Sequence, residues 1–298
     1  MLEIKKYAAI DIGSNAIRLL VSNVIVEKGK EPQFKKSSLV RVPIRLGADA
    51  FVSGKISEEN TKRMIDAMEA FKLLMKVHNV EKYKACATSA MREAKNGIEV
   101  ADKVLTSTGI KIDIIGGKEE AAIISSTDLN DLIEGDNSYL YVDVGGGSTE
   151  FTVFSGGKIF NSKSFKMGTV RLLNNKKAIN KDIFDDVEKW IKKNTKNLKK
   201  VSLIGSGGNI NKLFKMSGRT DGKPISFIYL NAQYQFLKQM SYQERISELS
   251  LNPDRADVII PATKIYLSAM KWSGATKIYV PKIGLSDGII KSLFYNKL

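Results

Sequence analysis

The sequence predicts an α/β protein built from two duplicated domains, and three observations support this prediction. Residues 8–21 contain an apolar strand, then Asp11 and Gly13 in a small polar turn, then a second apolar strand. Residues 141–154 repeat this order around Asp143 and three glycines, 132 residues after Asp11. Each half of the chain also reads as three strands, a helix, a strand, a helix, a strand and a helix.

In the first half, alternation and helical spacing predict the elements. Predicted strands cover residues 7–12, 16–26, 34–42, 83–87 and 111–115. Helices are predicted after Ser57, after Asn96 and from Lys118, because Ser57 is a typical helix cap and apolar residues follow it at helical spacing. Residues 46–49 are predicted to form a loop.

The second half repeats the pattern. Predicted strands cover residues 139–144, 149–154, 158–165, 201–204 and 277–280. The pair Gly156-Gly157 is a signal for a two-residue hairpin between the second and third of these strands. The glycine-rich stretch 205–209 is predicted to end the fourth strand. Predicted helices cover residues 182–197, 230–248, 255–271 and the chain from about residue 285.

The composition is that of an ordinary globular protein. The 298 residues are 43% hydrophobic and 27% charged, enough for one large or two modest domains. No apolar run approaches the ~18 residues of a membrane span, and residues 1–6 lead directly into a strand, so we expect no secretory signal and no membrane association. The single cysteine, Cys86, excludes an internal disulfide, which favours a cytoplasmic location.

The charge balance points to an anionic partner. The chain carries 47 Lys and Arg against 32 Asp and Glu, a net charge of +15, and such a surplus attracts polyanions. No helix-turn-helix, zinc-finger or aromatic RNA-binding motif is present, so no nucleic acid partner is expected. Polyphosphate or a nucleotide polyphosphate satisfies the same electrostatics. Since His78 is the single histidine, a Ser-His-Asp triad is not expected, and a carboxylate is the candidate base.

The two repeated turns have the composition of phosphate-binding loops. Glycines let the backbone approach a ligand and turn several N–H groups towards one point, which suits an anion. The candidate phosphate-binding residues are Gly13, Ser14, Asn15, Gly145, Gly146, Gly147 and Ser148. Asp143 and Glu150 bracket the second turn, and carboxylates beside a phosphate site suggest Mg²⁺, with Asp11 as a further candidate ligand. Taken alone, each turn is equally compatible with a glycine-rich hairpin that binds nothing.

Several motifs together resemble the Ppx/GppA family of exopolyphosphatases and guanosine pentaphosphate phosphohydrolases. The first turn with Arg18-Leu19, the block 87–92 with Asn96, and the block 115–121 are similar to three successive family motifs. The second turn, Gly168 with residues 170–172, and residues 255–259 are similar to later ones. The resemblance covers nearly the whole chain. It implies two actin-like (ribonuclease H-like) ATPase-superfamily domains with a cleft between them.

The resemblance also implies roles for particular residues. Glu120, the second residue of a Glu-Glu pair, is the expected catalytic carboxylate that orients the attacking water, with Glu119 as the alternative. Arg92 is expected to clamp a phosphate oxygen. Arg171 is expected either to bind phosphate or to pair with a carboxylate. Mg²⁺ is the expected cofactor, held by Asp143 with Asp11 or Glu150.

The family match implies domains at residues 1–124 and 125–284, with the final helix, about residues 285–298, returning to the first domain. The expected activity is Mg²⁺-dependent release of orthophosphate from polyphosphate ends, and also from pppGpp. Alternatives are a main activity on pppGpp, a sugar or acetate kinase on the same fold, and a sensor of polyphosphate or alarmone that lacks catalysis. The blocks 88–92 and 119–121 argue against the kinase. A homodimer is expected from the general frequency of symmetric oligomers.

Two departures from the family pattern bear on substrate choice. A C-terminal helical extension found in long family members does not follow residue 298 in this sequence, and the usual nucleotide block reads Gly205-Ser206-Gly207-Gly208-Asn209. The Lys-rich stretch 176–200 has nine lysines and four acids. Because its acids precede most of its lysines, as the helix dipole favours, it is compatible with a solvated helix face. A polyphosphate-binding track along it is the alternative.

Overall fold

The computed structural model of the protein describes residues 2–125, 127, 137–174 and 180–298. The chain divides into two compact units, which we describe as separate domains. The first domain comprises Met1–Thr127 together with Gly284–Leu298, and the second comprises Asp128–Ile283. This division lies three residues beyond the expected boundary at residue 124 and assigns the chain from Gly284 onward to the first domain.

The first domain contains a five-stranded mixed sheet in the order β3-β2-β1-β4-β5. Its strands are β1 (Leu2–Ile12), β2 (Ile17–Glu27), β3 (Gln33–Val42), β4 (Lys82–Ala87) and β5 (Ile112–Ile114). Its helices are α1 (Leu46–Ala50), α2 (Glu58–Val77), α3 (Ser89–Glu93), α4 (Gly97–Thr108), α5 (Gly117–Ser125) and α13 (Leu285–Phe294). Strands β1, β2 and β3 are antiparallel neighbours, and β1, β4 and β5 run parallel.

The second domain contains a six-stranded sheet in the order β10-β11-β9-β6-β7-β8. Its strands are β6 (Ser138–Val144), β7 (Thr149–Ser155), β8 (Lys158–Phe165), β9 (Val201–Ser206), β10 (Ile225–Ser226) and β11 (Lys277–Tyr279). Its helices are α6 (Thr169–Asn174), α7 (Asn180–Thr195), α8 (Gly208–Met216), α9 (Phe227–Gln239), α10 (Tyr242–Ser247), α11 (Pro253–Ala256) and α12 (Ile259–Ser273).

The two sheets share one topology. Strands β8, β7, β6, β9 and β11 take the places of β3, β2, β1, β4 and β5, with the same antiparallel and parallel neighbours. The short β10 extends the second sheet by one antiparallel strand. The shared order confirms the predicted α/β fold of two duplicated domains.

Each domain has its own hydrophobic core. In the first, Ile10 and Leu19 on one face of the sheet pack into a cluster with Met68 and Val104 from α2 and α4. Helix α13 packs on the strands β1, β2 and β4 and on α5. Cys86 is buried, as predicted, and burial raises the pKa of its thiol to about 12. Within the described ranges, no helix is both long and apolar enough to span a membrane.

Three predicted elements are wrong. The single helix predicted over residues 255–271 is two helices, α11 and α12, separated at Asp257 and Val258. Residues 46–49 begin helix α1 instead of forming a loop, because Arg45 adopts a left-handed backbone (φ 62°) that turns the chain directly into a helix. The single helix predicted over residues 230–248 is two helices, α9 and α10. They separate because Met240 is extended and Ser241 caps the second helix with its side chain.

Candidate active site

The turn between β1 and β2, which we call the first loop, consists of Gly13, Ser14 and Asn15. The Gly13 N–H donates to the Ala16 carbonyl at 3.1 Å, and a Cβ at Gly13 would lie 3.2 Å from the same oxygen. Ser14 Oγ lies 3.0 Å from Ser89 Oγ. The loop is therefore a tight, glycine-dependent turn that is held against the start of α3.

Helix α1 supports the first loop from a second side. The Gly47 N–H donates to the Ser14 carbonyl at 2.7 Å, and the Arg45 N–H donates to the Asn15 carbonyl at 3.1 Å. A Cβ at Gly47 would lie 3.0 Å from Ser14 Cβ, so the close approach depends on glycine. Sequence reasoning missed this support, although Gly47 was a signal that the backbone passes close to a neighbour.

Arg92 lies where the ends of three parallel strands meet. The Thr88 N–H donates to the Ile12 carbonyl at 3.1 Å, and the Ile115 N–H donates to the Ala87 carbonyl at 2.9 Å. Arg92 Nη1 then donates to the Ile115 carbonyl at 2.7 Å, just before α5. One nitrogen of the Arg92 guanidinium is thus hydrogen-bonded to the segment that leads into α5, the helix that contains Glu119 and Glu120.

Glu119 and Glu120 both lie in the first turn of α5, where the helix dipole favours a carboxylate. Glu120 is half-buried and Glu119 is exposed. The Glu120 N–H donates to the Gly116 carbonyl at 2.9 Å, so its backbone is fixed by the helix. The more restricted environment of Glu120 agrees with its choice as the candidate carboxylate, and its catalytic role stays a prediction.

The turn between β6 and β7, which we call the second loop, comprises Gly145 to Ser148 and repeats the build of the first. The Gly145 N–H donates to the Ser148 carbonyl at 3.0 Å, and a Cβ at Gly145 would lie 3.1 Å from that oxygen. A Cβ at Gly168 would lie 2.3 Å from backbone atoms of Gly146, so the chain before α6 packs directly on the loop. The Thr169 N–H donates to the Gly145 carbonyl at 3.0 Å.

Arg171 is buried beside the second loop, with 9% of its surface exposed. Its Nε donates to the Gly147 carbonyl at 2.9 Å. The side chain therefore holds the loop in shape, as the backbone of Arg45 holds the first loop. Phosphate contact by the terminal nitrogens of Arg171 stays a prediction.

Corresponding positions beside the two loops carry different charge pairs. In the first domain Asp11 lies opposite Arg18 on adjacent strands, and Asp11 Oδ2 forms an ion pair with Arg18 Nη1 at 2.7 Å. In the second domain the paired residues are Asp143 and Glu150, two carboxylates. The Asp11 carboxylate thus pairs with an arginine at the opposite position, whereas in the second domain the residue opposite Asp143 is a second carboxylate.

The carboxylate pair of the second domain fits a divalent cation. Like charges directly opposite each other on adjacent strands destabilise a sheet, and a cation between them removes this cost. Glu150 is buried, and its Oε1 accepts hydrogen bonds from Ser148 Oγ at 2.7 Å and Ser164 Oγ at 2.8 Å. Nowhere in the described ranges do three Asp, Glu, His or Cys side chains converge as a complete ligand set. Two carboxylates suffice for Mg²⁺, which commonly keeps water and substrate phosphate oxygens as its other ligands.

A third turn, between β9 and α8, lies next to Asp143. For this stretch, residues 205–209, the sequence predicted only the end of a strand. Strand β9 continues to Ser206, and α8 begins at Gly208. A Cβ at Gly207 (φ 115°) would lie 3.5 Å from Asp143 Oδ1 and 3.4 Å from Tyr266 Oη. The Tyr266 hydroxyl donates to the Ser206 carbonyl. Burial, with the nearby Asp143 carboxylate, raises the pKa of Tyr266 well above its usual value, so it stays a neutral donor.

Sequence reasoning missed Tyr266 and Ser206. Nothing in the local pattern distinguishes Tyr266 from any other apolar position on a buried helix, because its role depends on the packing of α12 against β9.

Within the first domain the structure brings together the first loop, Arg92 and the start of α5 at the carboxyl ends of β1, β4 and β5. Within the second it collects the second loop, its carboxylate pair and Arg171. That both sets bind one phosphoryl group stays a prediction.

The amino-acid sequence is similar to a known protein family and to individual phosphatases. The sequence model of the Ppx/GppA phosphatase family matches residues 25–297. The chain is 31% identical over 303 residues to a bifunctional 3-dehydroquinate synthase/phosphatase of Fusobacterium nucleatum, covering 92% of this chain and 44% of that protein. It is 30% identical over 172 residues to exopolyphosphatase 2 of Mycobacterium tuberculosis, covering 56% of this chain and 53% of that protein. The chain thus spans about half the length of these relatives.

Solved structures share the fold. A Ppx/GppA family member from Aquifex aeolicus superposes with a TM-score of 0.78 at 24% identity, over 99% of both chains. An exopolyphosphatase from Cytophaga hutchinsonii superposes with a TM-score of 0.84 at 22% identity, over 98% of both chains. At these identities the likeness establishes the architecture, and residue roles must come from the site itself.

Proposed function

Because this chain belongs to the Ppx/GppA phosphatase family, we propose that it hydrolyses inorganic polyphosphate from its ends and releases orthophosphate. The observation that carries the proposal is the pair of similar glycine loops. In each loop the first glycine N–H donates to the carbonyl three residues later, and the second loop lies beside the carboxylates of Asp143 and Glu150. Such loops direct backbone N–H groups towards an anion. The net charge of +15 supports a polyanionic substrate.

In the proposed reaction, water attacks the terminal phosphorus in line with the bridging oxygen. A new P–O bond forms, the bridging P–O bond breaks with its electron pair leaving on the shortened chain, and the proton of the water is released to solvent. The two loops hold the phosphate oxygens through N–H groups, and Arg92 adds a positive charge. Glu120 orients the attacking water by accepting its hydrogen bond.

Magnesium is the proposed cofactor. Asp143 and Glu150 would hold it, with Asp11 as the third predicted carboxylate, although Asp11 is paired with Arg18. When bound, Mg²⁺ neutralises phosphate oxygens and so stabilises the charge of the transition state. Ser148 and Ser164 fix the orientation of Glu150 and so prepare that carboxylate for a cation.

The second candidate is hydrolysis of the 5′-phosphate of pppGpp. It is favoured by 30% identity over 167 residues to a guanosine-5'-triphosphate,3'-diphosphate pyrophosphatase of Photobacterium profundum, of which this chain covers 32%. The chemistry at the phosphorus is the same for both substrates. What differs is the group attached to the terminal phosphates, so a direct comparison of substrates separates the two.

The experiment is a phosphate-release panel with Mg²⁺ and short polyphosphate, long polyphosphate, pppGpp or ATP. We expect the highest kcat/KM with polyphosphate and no release after removal of Mg²⁺ by a chelator. A preference for pppGpp would select the second candidate. Polyphosphate binding without any phosphate release would favour the sensor, and turnover that requires ATP with an acceptor alcohol would favour a kinase.

A further inference from the structure

Tyr266 of helix α12 reaches the end of β9 with its hydroxyl group. Its side chain is fully buried in the hydrophobic core of the second domain, where α12 packs on β6 and β9. The hydroxyl donates a hydrogen bond to the carbonyl of Ser206, the last residue of β9. Because the close-packed core fixes the tyrosine ring, the donor is held at one position beside this strand end.

Ser206 is held from two sides. Its Oγ donates to the Ile283 carbonyl at 2.9 Å, while its own carbonyl accepts from Tyr266. Ser206 also lies opposite Asp143 in the last pair of the parallel ladder between β6 and β9. Beyond this pair β6 leads into the second loop and β9 leads into the third turn. Tyr266 therefore supplies a donor to a buried carbonyl at the point where the ladder stops.

The third turn passes directly beside the Asp143 carboxylate. Gly207 follows Ser206 and has a φ of 115°, a backbone conformation that favours glycine. A Cβ on Gly207 would lie 3.5 Å from Asp143 Oδ1 and 3.4 Å from Tyr266 Oη. It would also lie 3.0 Å from the Val144 carbonyl oxygen, so the turn packs tightly on the end of β6. The phenol and the carboxylate thus both lie next to the same glycine.

We propose that Tyr266 is a positioning residue for Asp143: by holding the third turn in place, its hydroxyl fixes the orientation of the carboxylate that binds Mg²⁺. This inference rests on the proposed function, in which Asp143 is a ligand of the ion. The torsion that rotates a carboxylate has broad minima, whereas Mg²⁺ requires nearly ideal octahedral geometry. A turn that packs against Asp143 Oδ1 restricts this rotation before the ion binds.

The test is Tyr266→Phe, which removes the hydroxyl and keeps the ring in the core. The Ser206 carbonyl then loses this donor, and the third turn is no longer held against Asp143. Calorimetric titration of Mg²⁺ without substrate should give a Kd about fivefold above that of the wild type. This is less than the roughly 10–100-fold loss typical of a group bonded directly to a metal ligand. Saturating Mg²⁺ should restore kcat, because the proposed role is confined to metal binding.

Tyr139→Phe is the matched control. It removes a hydroxyl from another buried tyrosine of the same sheet, at the end of β6 that lies away from the second loop. Its Kd for Mg²⁺ should equal that of the wild type. Gly207→Ala is a second test variant, because its Cβ would push the third turn away from Asp143 while the Tyr266 hydroxyl stays in the protein. It should raise the Kd at least as much as Tyr266→Phe.

An unchanged Kd in Tyr266→Phe, or an equal rise in Tyr139→Phe, would overturn the proposal. This holds even if urea unfolding shows that Tyr266→Phe is less stable, because a hydroxyl with a purely structural role also predicts a loss of stability. A wild-type protein that binds no Mg²⁺ would overturn it as well. The titration requires no turnover. A protein whose Mg²⁺ affinities follow these expectations but that releases no phosphate would therefore support the positioning role and reject the proposed hydrolysis.

Discussion

At the scale of single residues, Glu120 carries the sharpest prediction. Its carboxylate is expected to orient water, so Glu120→Ala should lower kcat about a thousandfold, in the range typical of a lost general base or water-positioning group. KM should stay close to that of the wild type, because the phosphate loops remain. Steady-state phosphate release measures both constants, and the exposed neighbour provides the control: Glu119→Ala should keep most of its activity. A fully active Glu120→Ala protein would assign the role elsewhere.

Arg92 should act through binding as well as turnover. We expect Arg92→Ala to raise KM and lower kcat, and Arg92→Lys to recover little, since a lysine cannot both bind the Ile115 carbonyl and present a planar pair of donors. Activity against salt concentration is the measurement. Added salt should weaken the wild type more than Arg92→Ala, because screening removes part of the same attraction. Unchanged kinetic constants would reject the clamp.

Cys86 should make the stability of the protein depend on alkaline pH. Burial raises the pKa of its thiol from 9.0 to about 12, so the folded state favours the neutral thiol. This contribution is present in full below pH 9 and is lost as the pH rises towards 12, because the unfolded state releases the proton first. Urea unfolding at pH 8 and pH 10.5 should show a larger loss of stability in the wild type than in Cys86→Ala. Equal losses in the two proteins would contradict this.

At the scale of elements, the contact between α13 and α5 should be sensitive to one methyl group. A Cβ at Gly288 would lie 2.2 Å from the Ile123 carbonyl oxygen, so Gly288→Ala must push the two helices apart. We expect a loss of about 1–3 kcal/mol of stability from this overpacking and a lower kcat, because α5 carries Glu120. Chemical unfolding and phosphate release measure the two effects.

Gly116→Ala is the matched control, because a Cβ at Gly116 has no atom within 4 Å. Its unfolding free energy should stay near that of the wild type. A Gly288→Ala protein with unchanged stability would show that α5 and α13 can repack without strain.

The elements also show how far sequence reasoning reaches. The strands around the two loops followed from apolar runs that end in Asp and Gly, because strand ends and glycine turns are local properties. The start of α1 depends on the left-handed backbone of Arg45, which no propensity favours. The contact of Gly207 with Asp143 and Tyr266 joins residues more than 50 positions apart, so local patterns carried no information about it. The sequence identifies Asp11 and Glu150 as acids beside the two loops. It does not show that Asp11 lies opposite Arg18, because that pairing depends on the register of the two strands.

At the scale of the whole molecule, the duplication predicts that equivalent positions have diverged in function. Arg18→Gln should cost about 1–3 kcal/mol of stability, because it leaves the buried Asp11 carboxylate without its cation. Its effect on Mg²⁺ affinity should be smaller than the effect of removing a carboxylate beside the second loop.

Glu150→Gln, at the matching position, should instead raise the Mg²⁺ concentration for half-maximal activity about tenfold, equivalent to about 1.4 kcal/mol of lost binding. Calorimetric titration of Mg²⁺ and urea unfolding on both variants make the comparison. Equal effects of the two substitutions on Mg²⁺ binding would contradict the assignment of the cation to the second domain.

The position of helix α13 in the chain affects how the protein folds during synthesis. It belongs to the first domain but is translated after the whole second domain, which is continuous in the chain. On the ribosome, the second domain can therefore complete its fold while the first still awaits the helix that covers β1 and supports α5. Until α13 has been synthesised, the surface of β1 and α5 that it covers stays exposed on the nascent chain.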